Sequence, residues 1–142
     1  MFIDEVGGKA VLKKVHKIFY DKVYAHPWMR NFFIGIDQKV IENQQTDFMG
    51  QNFGGPANYV GKLAVPAHKH MYITEELFNL RQRILEESLI EAGISELHRT
   101  TWLKIDGAFR AGIVKKNITD CQKRFFTDEI LVIENPERKK AA

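Results

Sequence analysis

The side chains best suited to chemistry in this sequence are His68 and His70, Tyr20 and Gln45. The two histidines fall in a short segment between a loop and a helix, beside Met71, Tyr72 and Ile73. Imidazole is the commonest biological metal ligand, and a single histidine can hold a haem iron. No His-Glu-x-x-His spacing and no carboxylate cluster occurs, which argues against zinc or calcium held by protein ligands alone. A histidine taken by itself is more often a core or surface residue. His16 reads as solvated on the polar side of its helix, His26 as fixed to the turn before Pro27, and His98 as a first-turn residue of a late helix.

Gln45 shares a helix face with Ile41, Phe48 and Met49, its neighbours three and four residues away. A buried amide without a partner costs about 1–3 kcal/mol. Either Gln45 stands at the edge of the apolar stripe, or something buried bonds to it. Tyr20 poses the same question, because it follows Phe19 on a helix whose core face is already full. A buried Tyr hydroxyl usually finds a partner. The two polar tips in one apolar wall would make a small-ligand site, and a surface tyrosine is the alternative. Phe19, Phe32, Phe33, Phe48, Phe53, Phe78 and Phe109 serve equally as a core or as walls for a flat apolar cofactor.

The elements that must position these residues are helical by their apolar spacing. Gly7-Gly8 reads as an entry turn to a helix over about 9–24, with Val11, Val15, Phe19 and Val23 on one face. His26-Pro27 breaks it, and Pro27 can start a short turn towards Phe32-Phe33. Asp37 is placed to cap a second helix to about Asn52, with a stripe of Val40, Ile41, Gln44, Gln45, Phe48 and Met49. Phe53-Gly54-Gly55-Pro56 must end it, and a loop with Tyr59, Gly61 and Pro66 follows. Thr74 starts a third helix carrying Leu77, Phe78, Ile84, Leu85 and Leu89, with Gly93 at its end. Ser95 starts a fourth, bearing Trp102, Ile105, Phe109 and Ile113. Past Asn117 the pattern weakens. Phe125-Phe126 and Ile130 to Ile133 are apolar enough to dock on something, and the second run reads as either a strand or a helical turn. Four sizeable helices with short breaks argue an all-α fold.

With 142 residues the chain fits one domain with a real core. A net charge of +3 with scattered Lys and Arg is too weak to argue for nucleic acid. The basic run Arg138-Lys139-Lys140 reads as a solvated end. The lone Cys121 suits a reducing cytoplasm, and neither a secretory leader nor a membrane span is expected.

In order and spacing the chain resembles the truncated haemoglobins, most of all their group I. The resemblance rests on Val6-Gly7-Gly8, Phe19-Tyr20 with Val23, Pro27 leading to Phe32-Phe33, and Gln44-Gln45 with Phe48. It continues through Phe53-Gly54-Gly55-Pro56, Tyr59-Gly61, His68 ahead of Ile73-Thr74, Phe78 and Gly93. It covers roughly Val6 to Val114, leaving residues 118–142 as an extension of a globin domain over 1–117. It implies a globin-like two-over-two helical sandwich holding haem b, with His68 as the iron ligand and His70 a neighbour near the haem edge. It further implies Tyr20 and Gln45 as distal hydrogen-bond donors, Ile41 at the apolar distal gate and Phe33 as the wedge on the ring. Phe48, Tyr59, Met71 and Phe78 fall among the cofactor-binding positions. Gln44 falls where some members place a basic residue or a second iron ligand. Glutamine ligates iron poorly, so six-coordination through it is not expected.

The function so implied is binding of O₂, NO or another diatomic gas, with nitric oxide dioxygenation as the associated reaction and a reductase as partner. The competing expectations are a haem-based gas sensor or partner-binding module acting through the C-terminal tail, and, behind it, a haem-free helical scaffold.

Overall fold

The computed structural model describes residues 1–141, with side chains to Arg138. Its helices are α1 (Phe2–Val6), α2 (Gly8–Ala25), α3 (Gln38–Asn52), α4 (Ala64–His68), α5 (Glu75–Glu91), α6 (Glu96–Gly107), α7 (Arg110–Ile113) and α8 (Pro136–Ala141), with short 3₁₀ turns at Met29–Phe32 and Ile118–Asp120. Among the described residues the one β-type pairing outside the helices is a single parallel bridge, Met71 to Leu131. The fold is all-α, built from the pairs α2–α3 and α5–α6 with α2 also packed on α5.

Local chemistry sets the helix ends. Gly7, at φ 117°, turns the chain from α1 into α2 in a conformation that L side chains rarely adopt. Asp37 accepts from the Val40 N–H, Thr74 from Leu77 and Ser95 from His98, each filling a donor that the first helical turn leaves open. Past α3, Gly55 lies so close to the Gly50 carbonyl that a Cβ would sit 2.8 Å from its oxygen. That close approach lets the chain leave α3 towards the Tyr59 loop.

α2 is the central element. It buries Leu12, Val15, His16, Phe19, Tyr20 and Val23, a wider arc than the single stripe expected. His16 is therefore not solvated: its ring lies edge-on to Trp102, and its Nδ1 is 2.9 Å from the Thr46 hydroxyl. α3 likewise presents two faces. Glu42, Thr46, Met49 and Gly50 are buried, while Val40, expected in the apolar stripe, is exposed. The fourth helix is not continuous: α6 ends at Gly107, and α7 resumes at Arg110.

The chain beyond Asn117 lies back against the helices. Leu131 N–H donates to the His70 carbonyl and Tyr72 N–H to that of Leu131, at 2.9 Å each. The Trp28 indole N–H reaches the Ile133 carbonyl at 2.8 Å. Ile130 to Ile133 are thus extended, neither a helical turn nor part of a sheet. Phe125 and Phe126 are exposed, Phe126 at 96%. Arg138 pairs with Glu76 at 2.7 Å, and the side chains of Lys139 and Lys140 lie outside the described residues.

Candidate functional site

The helices enclose a cavity of about 530 Å³. Tyr20 reaches it from α2, Ile41, Gln44, Gln45 and Phe48 from α3, and His68 from the last turn of α4. Phe33 and Tyr59 enter from connecting segments, Met71 from the extended chain after α4, and Phe78 from α5. The volume is that of a small-molecule or cofactor pocket, and the lining is mostly apolar.

One expected member is missing. His70 does not line the cavity; it is buried with its Nδ1 unpartnered, near the Arg124–Asp128 ion pair and Lys115. Neighbours in extended chain face opposite sides. Met71 takes the cavity side, and His70 is left on the side of the C-terminal segment, where its carbonyl holds Leu131.

The His68 ring is held by a backbone carbonyl. Its Nδ1 is 2.6 Å from the Ala64 carbonyl, which can only accept, so Nδ1 carries the proton. The Nε2 lone pair is then free, and it makes no hydrogen bond among the described residues. Burial lowers the His68 pKa; the Ala64 bond opposes this, and the charges of Arg81 and Lys115 add to it. The neutral ring is the ligating form. Lys115 donates to the His68 carbonyl at 2.6 Å, satisfying an open helix-end acceptor.

The Tyr20 ring is fixed edge-on between Phe19, at 4.9 Å between centroids, and Phe33, at 5.9 Å. Its hydroxyl has no protein partner among the described residues, and neither has the Gln45 amide. Burial raises the Tyr20 pKa, so the hydroxyl stays a donor. Phe48 packs edge-on to Tyr59, whose hydroxyl donates to the Lys62 carbonyl at 2.5 Å.

The family model for bacterial-like globins matches residues 1–114. The chain belongs to the bacterial-like globin family. The group 1 truncated hemoglobin of Tetrahymena pyriformis is 33% identical over 93 residues, 66% of this chain and 77% of that protein. Its crystal structure in the Fe(III) form covers 81% of this globin at a TM-score of 0.75 and 30% identity, and 98% of that chain is matched. The hemoglobin of Chloroflexus aurantiacus matches 81% of this chain and 98% of its own at a TM-score of 0.72 and 26% identity. The fold is that of the truncated haemoglobins, and the family implies a haem cofactor.

The cavity of this globin also holds residues that sequence reasoning passed over. Arg81 of α5 projects into it, with a quarter of its side-chain surface open. Its Nη1 bonds Asp106 of α6 at 2.6 Å, and its guanidinium lies 5.3 Å from the centre of the Phe19 ring. Asp106 also accepts from the Gln82 amide. Phe109, Lys62 and Arg124 complete parts of the wall. Arg81 precedes Gln82 on a helix rich in charges, and nothing in that local pattern distinguishes it from a solvated cation. Among the described residues no cluster of three or more His, Cys, Asp or Glu could hold a metal ion, and no helix is long and apolar enough to cross a membrane.

Proposed function

We propose that this globin holds one haem b through His68 and binds O₂ and other diatomic gases, in a form suited to consuming nitric oxide rather than to transport. The observation that carries the reading is the Ala64 bond at His68, which leaves Nε2 free at a mostly apolar cavity. That cavity also holds two donors without protein partners, Tyr20 and Gln45, so its polar inventory fits a haem pocket. Bound there, haem would supply an iron that takes the gas.

The chain's own residues do the rest. Phe33, Phe48, Tyr59, Met71 and Phe78 wall the ring position and exclude water, while Ile41 stands at the apolar entry beside Gln44, which is solvent-exposed. Tyr20 and Gln45 donate hydrogen bonds to the gas. Donors to an acceptor carrying charge contribute about 1.5–3 kcal/mol each, which slows release about tenfold to a thousandfold or more. Slow release favours reaction of O₂ with nitric oxide to nitrate. That conversion takes one electron, so the reading requires a reductase partner, in a reducing cytoplasm where Cys121 persists as a thiol.

The test is the visible spectrum of wild type beside His68→Gly, each reconstituted with haemin and reduced under O₂. A Soret band with oxy-type visible bands in wild type, lost or altered in the variant, is expected. A wild type that takes up no haemin overturns the reading, and identical spectra move the ligand away from His68.

A further inference from the structure

We propose that the Arg81 end of the cavity is a binding site for a small inorganic anion of the nitrite or nitrate kind, held between the Arg81 guanidinium and the Tyr20 hydroxyl. The proposal deepens the haem reading by naming a ligand class for the same cavity.

Three observations carry it. First, a guanidinium reaches a largely apolar cavity where a gas site alone calls for none. Second, only Nη1 is committed, to Asp106 at 2.6 Å; the Nε and Nη2 groups make no hydrogen bond among the described residues. Asp106, which also lines the cavity, takes both the Arg81 and the Gln82 bonds on Oδ2. Third, the Tyr20 hydroxyl, close enough for the Arg81 charge to act on it, lines the same cavity and has no protein acceptor among the described residues. Among the described residues, this end of the cavity therefore carries the Nε and Nη2 groups of Arg81 and the Tyr20 hydroxyl as unused donors, beside one unbonded oxygen of Asp106.

A neutral diatomic molecule has too few acceptor positions and too little charge to answer that set. A bent or planar oxoanion presents two oxygens side by side, the pattern a guanidinium fork matches with two parallel N–H bonds. Asp106 and the Phe19 ring fix the guanidinium from one edge and one face, so little side-chain freedom is lost on binding. The Arg81–Asp106 pair is neutral overall. The attraction therefore comes from aligned N–H groups at short range, which selects for small anions that enter the cavity rather than for any anion at the surface.

The experiment is titration of the ferric haemoprotein with nitrite, read in the Soret band, and with nitrate, read as a rise in melting temperature. Wild type is compared with Arg81→Lys and with the double variant Arg81→Leu/Asp106→Leu, which removes the ion pair without stranding a charge. We expect nitrite to bind the double variant at least about tenfold more weakly, a loss of about 1.4 kcal/mol or more. Arg81→Lys, which keeps the charge and loses the fork, falls between. Carbon monoxide affinity of the ferrous protein stays within about twofold, because a neutral ligand makes little use of a guanidinium. Nitrite affinity unchanged in a folded double variant, or no response of wild type to either anion, overturns the anion site and leaves the haem reading standing. A wild type that binds no haemin defeats the haem reading instead. The nitrate-induced melting shift of the haem-free chain then reports the anion site: its presence in wild type and loss in the double variant support it, and its absence overturns it.

Discussion

The Nδ1 of His16 and the hydroxyl of Thr46 lie 2.9 Å apart, sealed between α2 and α3. Burial, with the charge of Arg81 adding, pushes the His16 pKa down to about 3. In the unfolded chain the same ring takes up a proton near 6.5. Between those values the unfolded state binds more protons than the folded one, so stability falls as pH drops through the window from 6.5 towards 3. Each pH unit well inside the window removes about 1.4 kcal/mol. Urea unfolding at several pH values, wild type against His16→Gln, isolates this group from the other histidines. Wild type should lose stability more steeply on acidification. Parallel curves would mean that the folded pocket admits the proton.

His16 also shows where the sequence stops being readable. Asp37, Thr74 and Ser95 were legible as caps because capping is settled within three residues of chain. That Tyr20, Gln45 and His68 line one cavity was legible because a polar group on an apolar face, or in an ordered family pattern, asks for a partner. His16 sits one position past the stripe of Val11, Val15, Phe19 and Val23, and the buried arc of α2 takes in Leu12, His16 and Tyr20 as well. How wide a helix is buried depends on what packs on it from elsewhere. Arg81 and Asp106 are 25 residues apart, and only the α5–α6 packing brings them together. The side to which His70 turns was set by the bridge to Leu131, again a contact distant in the chain.

The C-terminal segment behaves as part of the packed structure at Leu131 and Ile133, which lie against the core, and at the Trp28–Ile133 hydrogen bond. Partial burial of two aliphatic side chains, the Trp28–Ile133 hydrogen bond and the two backbone bonds at Leu131 together contribute about 3–6 kcal/mol. For a domain of this size that corresponds to a fall of about 10–20 °C in melting temperature when residues 118–142 are deleted. Trp28→Phe, which keeps the ring and loses the N–H, should cost about 0.5–1.5 kcal/mol alone. Thermal unfolding followed by circular dichroism measures both. A deletion that leaves melting and gas affinity unchanged would instead return this segment to the role of a detachable partner-binding module.

Tyr20 offers a cleaner separation of folding from ligand binding than most buried residues. Its ring is packed against Phe19 and Phe33, but its hydroxyl makes no bond within the described protein. Tyr20→Phe keeps the ring contacts and strands no protein partner, so the melting temperature should stay within a few degrees of wild type. The O₂ dissociation rate should rise about tenfold or more, since a donor to a charged acceptor contributes about 1.5–3 kcal/mol. Gln45→Leu should raise it less, because Gln45 is only half-buried and competes with water for its amide. If both donors act on the same atom, the double variant will fall short of the product of the single effects, the coupling that a double-mutant cycle reads. Stopped-flow O₂ displacement on the four proteins gives all of these quantities. An unchanged rate in Tyr20→Phe would remove the hydroxyl from the bound gas.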